Sequence, residues 1–235
     1  CRSMRPPAGL DADTMARLNC DVLTGGFHMV KDDELQLFPD EADFRRHVEA
    51  MLAARDLACA RSGERKAYLA NLICEPEELA ARWDIVCALG VDAVLVAPSI
   101  QGLGTLSWLA RQRRMPILAH NTVSDFFSRH PDWGIAPAVL SALHEAMGAD
   151  WIVTAGEFCT REGMPHADAG SADRPRRAMP ILQGGKVPEG LPRYRRAIGS
   201  DDYMLVVASW VDGHADGLRQ AAGHFRAALD GQPPA

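Results

Sequence analysis

The chain has 235 residues, 47% of them hydrophobic, and a formal net charge of -6, so it is long enough to bury the core of one large domain or two small ones. The acidic balance and the lack of a basic cluster beside aromatic residues exclude nucleic acid as the main partner. No apolar run reaches the roughly 18 residues that a membrane span needs, so no membrane role is expected, and a cytoplasmic location is.

Short apolar runs alternate with helical patterns along the chain. Cys1 leads directly into a first strand, "CRSM", with no initiating methionine, and a segment cut from a longer chain is expected. Helix 11–22 follows, with Asp11 as its start signal. A second strand, "GGFHMV" (25–30), precedes a helix over 41–61, and a third, "AYLANLI" (67–73), precedes a helix over 76–89 with Pro76, Glu77 and Glu78 in its first turn. "DAVLVAP" (92–98) is followed by helix 103–113, "PILAH" (116–120) by helix 136–147, and "DWIVTA" (150–155) by a Gly-, Pro-, Asp- and Arg-rich loop over 156–177. "AMPILQ" (178–183) with helix 189–197 and "YMLVVASW" (203–210) with helix 214–229 complete eight strand-helix units. That rhythm predicts a parallel sheet, and at this length a compact α/β fold of the (β/α)8 TIM barrel type. An open doubly wound sheet competes, but no G-x-G-x-x-G follows the first strand. Six cysteines (Cys1, Cys20, Cys59, Cys74, Cys87, Cys159) form no C-x-x-C pair and read as reduced core thiols.

Barrels work at the C-terminal ends of their strands, so the residues just after each apolar run carry the chemistry. After the second run stand Lys31, Asp32, Asp33 and Glu34. Strand alternation points Lys31 and Asp33 to one face and Asp32 to the other, and Glu34 can turn back where the strand ends. Two carboxylates converging at a barrel mouth suit Mg2+. A lysine ammonium repels a metal, whereas a neutral amine can add CO2 and supply a third anionic oxygen. A solvated turn of surface ion pairs, contributing about 0–1 kcal/mol, fits the same spacing. His120, ending the fifth run, is placed to move a proton or bind a substrate hydroxyl, a backbone-satisfied core histidine being the other reading. His28, two residues before Val30, is read as packing toward the helices, and His214 as a cap of the last helix or a border of the mouth.

"GGFHMVKDDE" resembles the second-strand motif of the ribulose-1,5-bisphosphate carboxylase/oxygenase (RuBisCO) large-chain family and its RuBisCO-like members. "RPPAGLDADTMARL", "AYLANLICEPEEL" and "LGVDAVLVAPSIQGLGTLSWLARQRRMPILAH" resemble that family's first, third, and fourth and fifth segments in the same order. The resemblance implies the family's C-terminal barrel over residues 1–235, without the N-terminal α+β domain, which in the family completes the active site of a dimer partner. It also implies Mg2+ on carbamylated Lys31, Asp33 and Glu34, and abstraction of a proton next to a carbonyl. A homodimer is expected, acting on a small phosphorylated sugar or sugar-derived keto acid.

Departures from the pattern are equally specific. Where carboxylases carry K-P-K this chain has Arg5, Pro6 and Pro7, and an arginine is a poor general base. Asn121 replaces a phosphate-binding arginine, Val153 a histidine, and the mobile loop's catalytic lysine has no counterpart, Arg161 being the nearest cation. Gly184 and Gly185 match a phosphate-binding Gly pair, a plain turn being the alternative. Ala208, Ser209 and Trp210 replace a glycine cluster, with Trp210 expected to narrow that pocket. Candidate substrate contacts are therefore Arg5, Asn121, Gly184, Gly185 and Ser209. CO2 fixation on ribulose bisphosphate is not expected. Enolisation, isomerisation or decarboxylation is, with a non-catalytic relative that keeps the metal motif as the alternative.

Overall fold

The computed structural model describes residues 1–5, 9–128, 130, 132–153 and 178–231. Pro6, Pro7, Cys159 and Arg161 lie outside the described residues. Within them the order is β1 (Arg2–Ser3), α1 (Ala12–Thr24), β2 (Met29–Lys31), α2 (Glu41–Ser62), β3 (Ala67–Asn71), α3 (Leu79–Leu89), β4 (Ala93–Val96), α4 (Pro98–Gln101), α5 (Leu103–Gln112), β5 (Ile117–Ala119), α6 (Ser124–Ser128), α7 (Pro137–Ala146), β6 (Trp151–Val153), β7 (Met179–Gln183), a 3-10 turn (Pro188–Gly190), α8 (Leu191–Ile198), β8 (Met204–Val206), α9 (Ser209–Asp212) and α10 (Leu218–Leu229). Neighbouring strands pair in parallel in sequence order from β1 to β8. Val207, just past β8, bridges Arg2 and closes the ring, with Ser3 N–H donating to Val207 O (3.1 Å) and Val207 N–H to Cys1 O (2.9 Å). The protein is a (β/α)8 TIM barrel.

Strand alternation divides the core into two shells. Leu69, Ala93, Leu95, Leu118, Val153, Ile181 and Val206 fill the barrel interior. Val30, Tyr68, Val94, Val96, Ile117 and Ile152 face outward and pack with helix residues such as Leu23, Phe44, Val48, Leu106 and Phe225. Helix starts follow ordinary capping chemistry: Asp11 accepts from Thr14 N–H (2.7 Å) and Asp40 from Asp43 N–H (2.8 Å). Buried Arg2 ties the seam together. Its Nε and Nη2 donate to Asp212 Oδ1 (3.0 and 2.6 Å) and its Nη1 to Asn19 Oδ1 (3.1 Å).

Several boundaries differ from the sequence reading. The second strand begins at Met29, because α1 runs on to Thr24 and Gly25 closes it by donating to Asp21 O (2.9 Å). His28 faces the helix side as expected, beside Arg226 of α10 (3.3 Å), but is exposed there and not part of the packed core. Residues 76–78 form a turn ahead of α3, the predicted helix 189–197 opens with a 3-10 turn, the last helix starts at Leu218, and α9 takes up the end of the predicted eighth strand. The short helices α4 and α6 have no counterpart in the sequence reading, since four or five residues carry too little periodicity to detect. The five described cysteines are all free thiols.

Gly25 lets α10 approach closely: a Cβ there would lie 2.9 Å from the Ala222 side chain and closer still to the Arg219 carbonyl. Gly25→Ala is therefore expected to destabilise the fold by about 1–3 kcal/mol through overpacking, read as a lower midpoint in urea-induced unfolding.

Candidate functional site

The end of β2 is held from behind. Asp32 points to the helix side, where its carboxylate accepts from Tyr68 Oη (2.6 Å), from Asn71 N–H (3.1 Å) and from His47 Nε2 of α2 (2.8 Å). A carboxylate only accepts, so the His47 proton sits on Nε2. Burial alone would raise the Asp32 carboxyl, but His47, Tyr68 and Asn71 bring it below its ordinary value. With Asp32 outward, Lys31 and Asp33 both project into the mouth, as the alternation predicts.

There Lys31 Nζ donates to Asp32 O (2.9 Å) and to Glu34 Oε2 (3.2 Å). Asp33 Oδ1 caps the turn by accepting from Leu35 N–H (3.0 Å), and Asn71 Nδ2 donates to Asp33 O (3.1 Å). Arg5, just past β1, spans both carboxylates: its Nε donates to Asp33 Oδ2 (2.6 Å) and its Nη2 to Glu34 Oε1. The Arg5 side chain is 51% exposed, whereas Lys31 and Asp33 are each 1% exposed, so the guanidinium is the movable member of the group.

His120 directly follows β5. Its Nδ1 is paired with Thr122 Oγ1 (2.6 Å). Its Nε2 faces Glu34 Oε2 at 3.5 Å and makes no hydrogen bond of normal geometry. Gln183, the last residue of β7, links across by donating to Asn121 Oδ1 (3.0 Å). Arg5, Asp33, Glu34, Lys31, His120, Asn121 and Gln183 thus form one chain of contacts across the mouth.

Burial pushes the Lys31 amine below its ordinary value, with Glu34 and Asp33 pulling the other way. Two nearby carboxylates acting alone would raise it, but desolvation wins inside the barrel. Burial would raise Glu34, but Lys31, His120 and Arg5 draw it down to about 2. Burial, reinforced by Lys31, lowers His120 to about 4, so its imidazole is neutral near pH 7.

Gly184 and Gly185 follow Gln183 with φ of 76° and 54°, left-handed values that glycine adopts without strain. Lys186 lies behind them, donating to Gln183 O (3.1 Å) and Gly184 O (2.9 Å). Ser209 is exposed at the start of α9 and no described contact joins it to the cluster. Trp210 turns away from the mouth, edge-on to Phe225 (5.3 Å) and beside His214 (4.8 Å). It packs in the outer layer and does not narrow the pocket. Val153 is buried in the barrel interior. Sequence reasoning missed Ser3, whose hydroxyl reaches Asp33 Oδ2 (3.4 Å), together with Asn71 and Gln183. Counting inward positions to the end of each strand would have found them.

Fold and site together define a (β/α)8-barrel protein whose C-terminal mouth gathers a lysine, two carboxylates and a neutral histidine. The family described as ribulose bisphosphate carboxylase large chain, catalytic domain, matches residues 2–178, and the chain belongs to that family. The ribulose bisphosphate carboxylase of Archaeoglobus fulgidus is 28% identical over 252 residues, covering 96% of this chain and 57% of that one. Ribulose bisphosphate carboxylase-like protein 2 of Rhodopseudomonas palustris is 28% identical over 235 residues, with 97% and 54% covered. The rubisco-like protein MtnW from Alicyclobacillus acidocaldarius has a TM-score of 0.86 at 27% identity, over 99% of this chain and 62% of that one. The chain spans just over half the length of the curated relatives it matches. Among the described residues, no helix is long and apolar enough to cross a membrane.

Tyr68→Phe removes a buried donor to Asp32 and is expected to cost about 1–3 kcal/mol of stability, measurable as a shift in the denaturation midpoint without loss of secondary structure.

Proposed function

We propose that the protein is a RuBisCO-like enzyme that abstracts a proton next to the carbonyl of a phosphorylated sugar or sugar-derived keto acid, leading to enolisation, isomerisation or decarboxylation. The observation that carries this reading is the convergence of Lys31, Asp33 and Glu34, with His120 Nε2 left unpaired beside Glu34. These residues fit Mg2+. The charges of Lys31, Arg5, Asp33 and Glu34 cancel as they stand, and converting the amine to a carbamate leaves two net negative charges for a divalent ion to neutralise. Bound to the Lys31 carbamate, Asp33 and Glu34, Mg2+ supplies positive charge where negative charge develops on the substrate oxygen.

The chain's own residues do the rest. A lowered Lys31 pKa raises the fraction of free amine that can attack CO2. Thr122 N–H donates to His120 Nδ1 (3.2 Å), so the neutral imidazole carries its proton on Nε2 and can donate it to a substrate oxygen. Gly184 and Gly185 offer backbone to one phosphate or carboxylate, and Asn121, positioned by Gln183, offers an amide where an arginine charge is absent; Ser209 borders the β8 end. Arg5, having released the carboxylates, can pair with an anionic substrate group. Because Arg5, Asn121 and Val153 replace groups that fixation of CO2 on ribulose bisphosphate requires, that reaction is not proposed. We further propose that residues 1–235 act as one barrel domain of a cytoplasmic homodimer.

Deuterium exchange at the carbon next to the carbonyl, screened over phosphorylated ketoses and keto acids with Mg2+ and bicarbonate, tests the reading. Lys31→Ala should abolish the exchange while circular dichroism stays unchanged. Exchange at the parent rate in that variant would overturn it.

The Arg5 bridge favours a second reading, a non-catalytic relative in which the guanidinium permanently takes the cation's place. The two readings separate on Arg5→Ala. If Arg5 is a displaceable competitor, calorimetry of the parent protein shows Mg2+ binding that the substitution tightens by about tenfold, or about 1.4 kcal/mol. A parent that binds no Mg2+ even with bicarbonate supports the non-catalytic reading.

A further inference from the structure

A second group of metal-ligating side chains stands outside the cluster described above. His214 and Asp216 lie in the turn between α9 and α10, and His224 lies in the second turn of α10. One donor atom from each comes within 4.8 Å of the others. We infer that His214, Asp216 and His224 form a separate site for a borderline transition-metal ion, with Zn2+ as the representative.

The backbone brings these donors together. Gly217, at φ 84°, donates to His214 O (3.1 Å), a tight turn that puts His214 and Asp216 on the same side of the loop. Asp216 N–H reaches His214 Nδ1 (3.3 Å), and His214 Nδ1 lies 3.8 Å from Asp216 Oδ2. In a tetrahedral shell two donors each about 2.1 Å from one ion stand about 3.4 Å apart, so this pair lies a few tenths of an ångström outside ligand spacing. The three donor atoms lie within 4.8 Å of one another, so closing on one ion takes side-chain rotation of up to about 1.4 Å, for which exposed Asp216 has room.

Aromatic packing holds the imidazoles ready. The His214 and His224 ring centroids are 5.0 Å apart, and the Trp210 ring lies 4.8 Å from His214 and 6.1 Å from His224. Trp210 is itself braced by Phe225 at 5.3 Å. Both histidines are half-buried and Asp216 is exposed, leaving a fourth position open to water. Three protein ligands with an open fourth position is an established zinc geometry. Two imidazoles discriminate against Mg2+, which selects an octahedral shell of oxygens, so the two sites take different ions. An ion here would fasten the loop after β8 to α10, next to Asp212, which holds the buried Arg2 at the barrel seam.

The test is calorimetric titration of the chelator-treated full chain with Zn2+ in buffer containing excess Mg2+. One equivalent should bind, and His214→Ala and His224→Ala should each weaken binding by about tenfold or more. Asp33→Ala should change nothing. Co2+ bound at the same site should quench indole fluorescence, and Trp210→Phe should remove that quenching while retaining binding. Equal Zn2+ affinity in the parent and both histidine variants, or no binding at submillimolar Zn2+, would overturn the inference.

Discussion

The mouth of this barrel depends on a carboxylate that faces away from it. Asp32 is fully desolvated, and three donors from two other elements satisfy it: Tyr68 and Asn71 of β3 and His47 of α2. An ionised carboxylate in such surroundings is tolerated only when it is fully paired, so the chain has essentially one way to bury it. Fixing Asp32 outward compels its two neighbours inward. Asn71 secures both sides of the turn, because its N–H holds Asp32 while its side chain holds the Asp33 and Gln36 carbonyls. Lys31 and Asp33 are thus presented by a rigid strand end.

Inside the mouth, two opposing effects decide the state of Lys31. Neighbouring carboxylates favour an ammonium, and burial favours the free amine. Burial prevails, since the lysine is walled in by the barrel while Arg5 supplies a competing positive charge to the same carboxylates. The histidine across the mouth follows the same logic and is held neutral. The arrangement therefore sets a neutral imidazole and a lysine whose ammonium form is disfavoured by burial beside a Glu34 carboxylate held ionised.

Much of this was legible in the sequence because it rests on local periodicity. The strand-helix rhythm gave the barrel, alternation assigned Lys31, Asp32 and Asp33 to their faces, and the end of the fifth apolar run marked His120. What escaped depends on contacts between distant segments. Gly25 and Gly26 read as the opening of a strand, but they form a turn whose shape answers to α10, nearly two hundred residues later. Trp210 read as an obstruction in the mouth, although its direction is set by Phe225 and two histidines in the outer layer. Arg5 was visible as a departure from a pattern, yet its bridge between two carboxylates belongs to the pairing of β1 with β2 in the closed ring.

That closure has a consequence for motion. β1 contributes only Arg2 and Ser3 to the ladder, and among the described residues three main-chain hydrogen bonds join residues 1–3 to β8 and the residue after it, from Cys1 N to Leu205 O, Ser3 N to Val207 O and Val207 N to Cys1 O. Segments with so few protected amides open at low free-energy cost compared with the core, which makes this seam the natural place for breathing of the ring. The buried Arg2 guanidinium acts against it as a rivet through Asp212 and Asn19. Ser3 ends this short strand and Arg5 follows two residues later, so any fluctuation that loosens the seam also moves a hydroxyl and a guanidinium that touch Asp33. Order at the mouth and integrity of the ring are one equilibrium seen from two places.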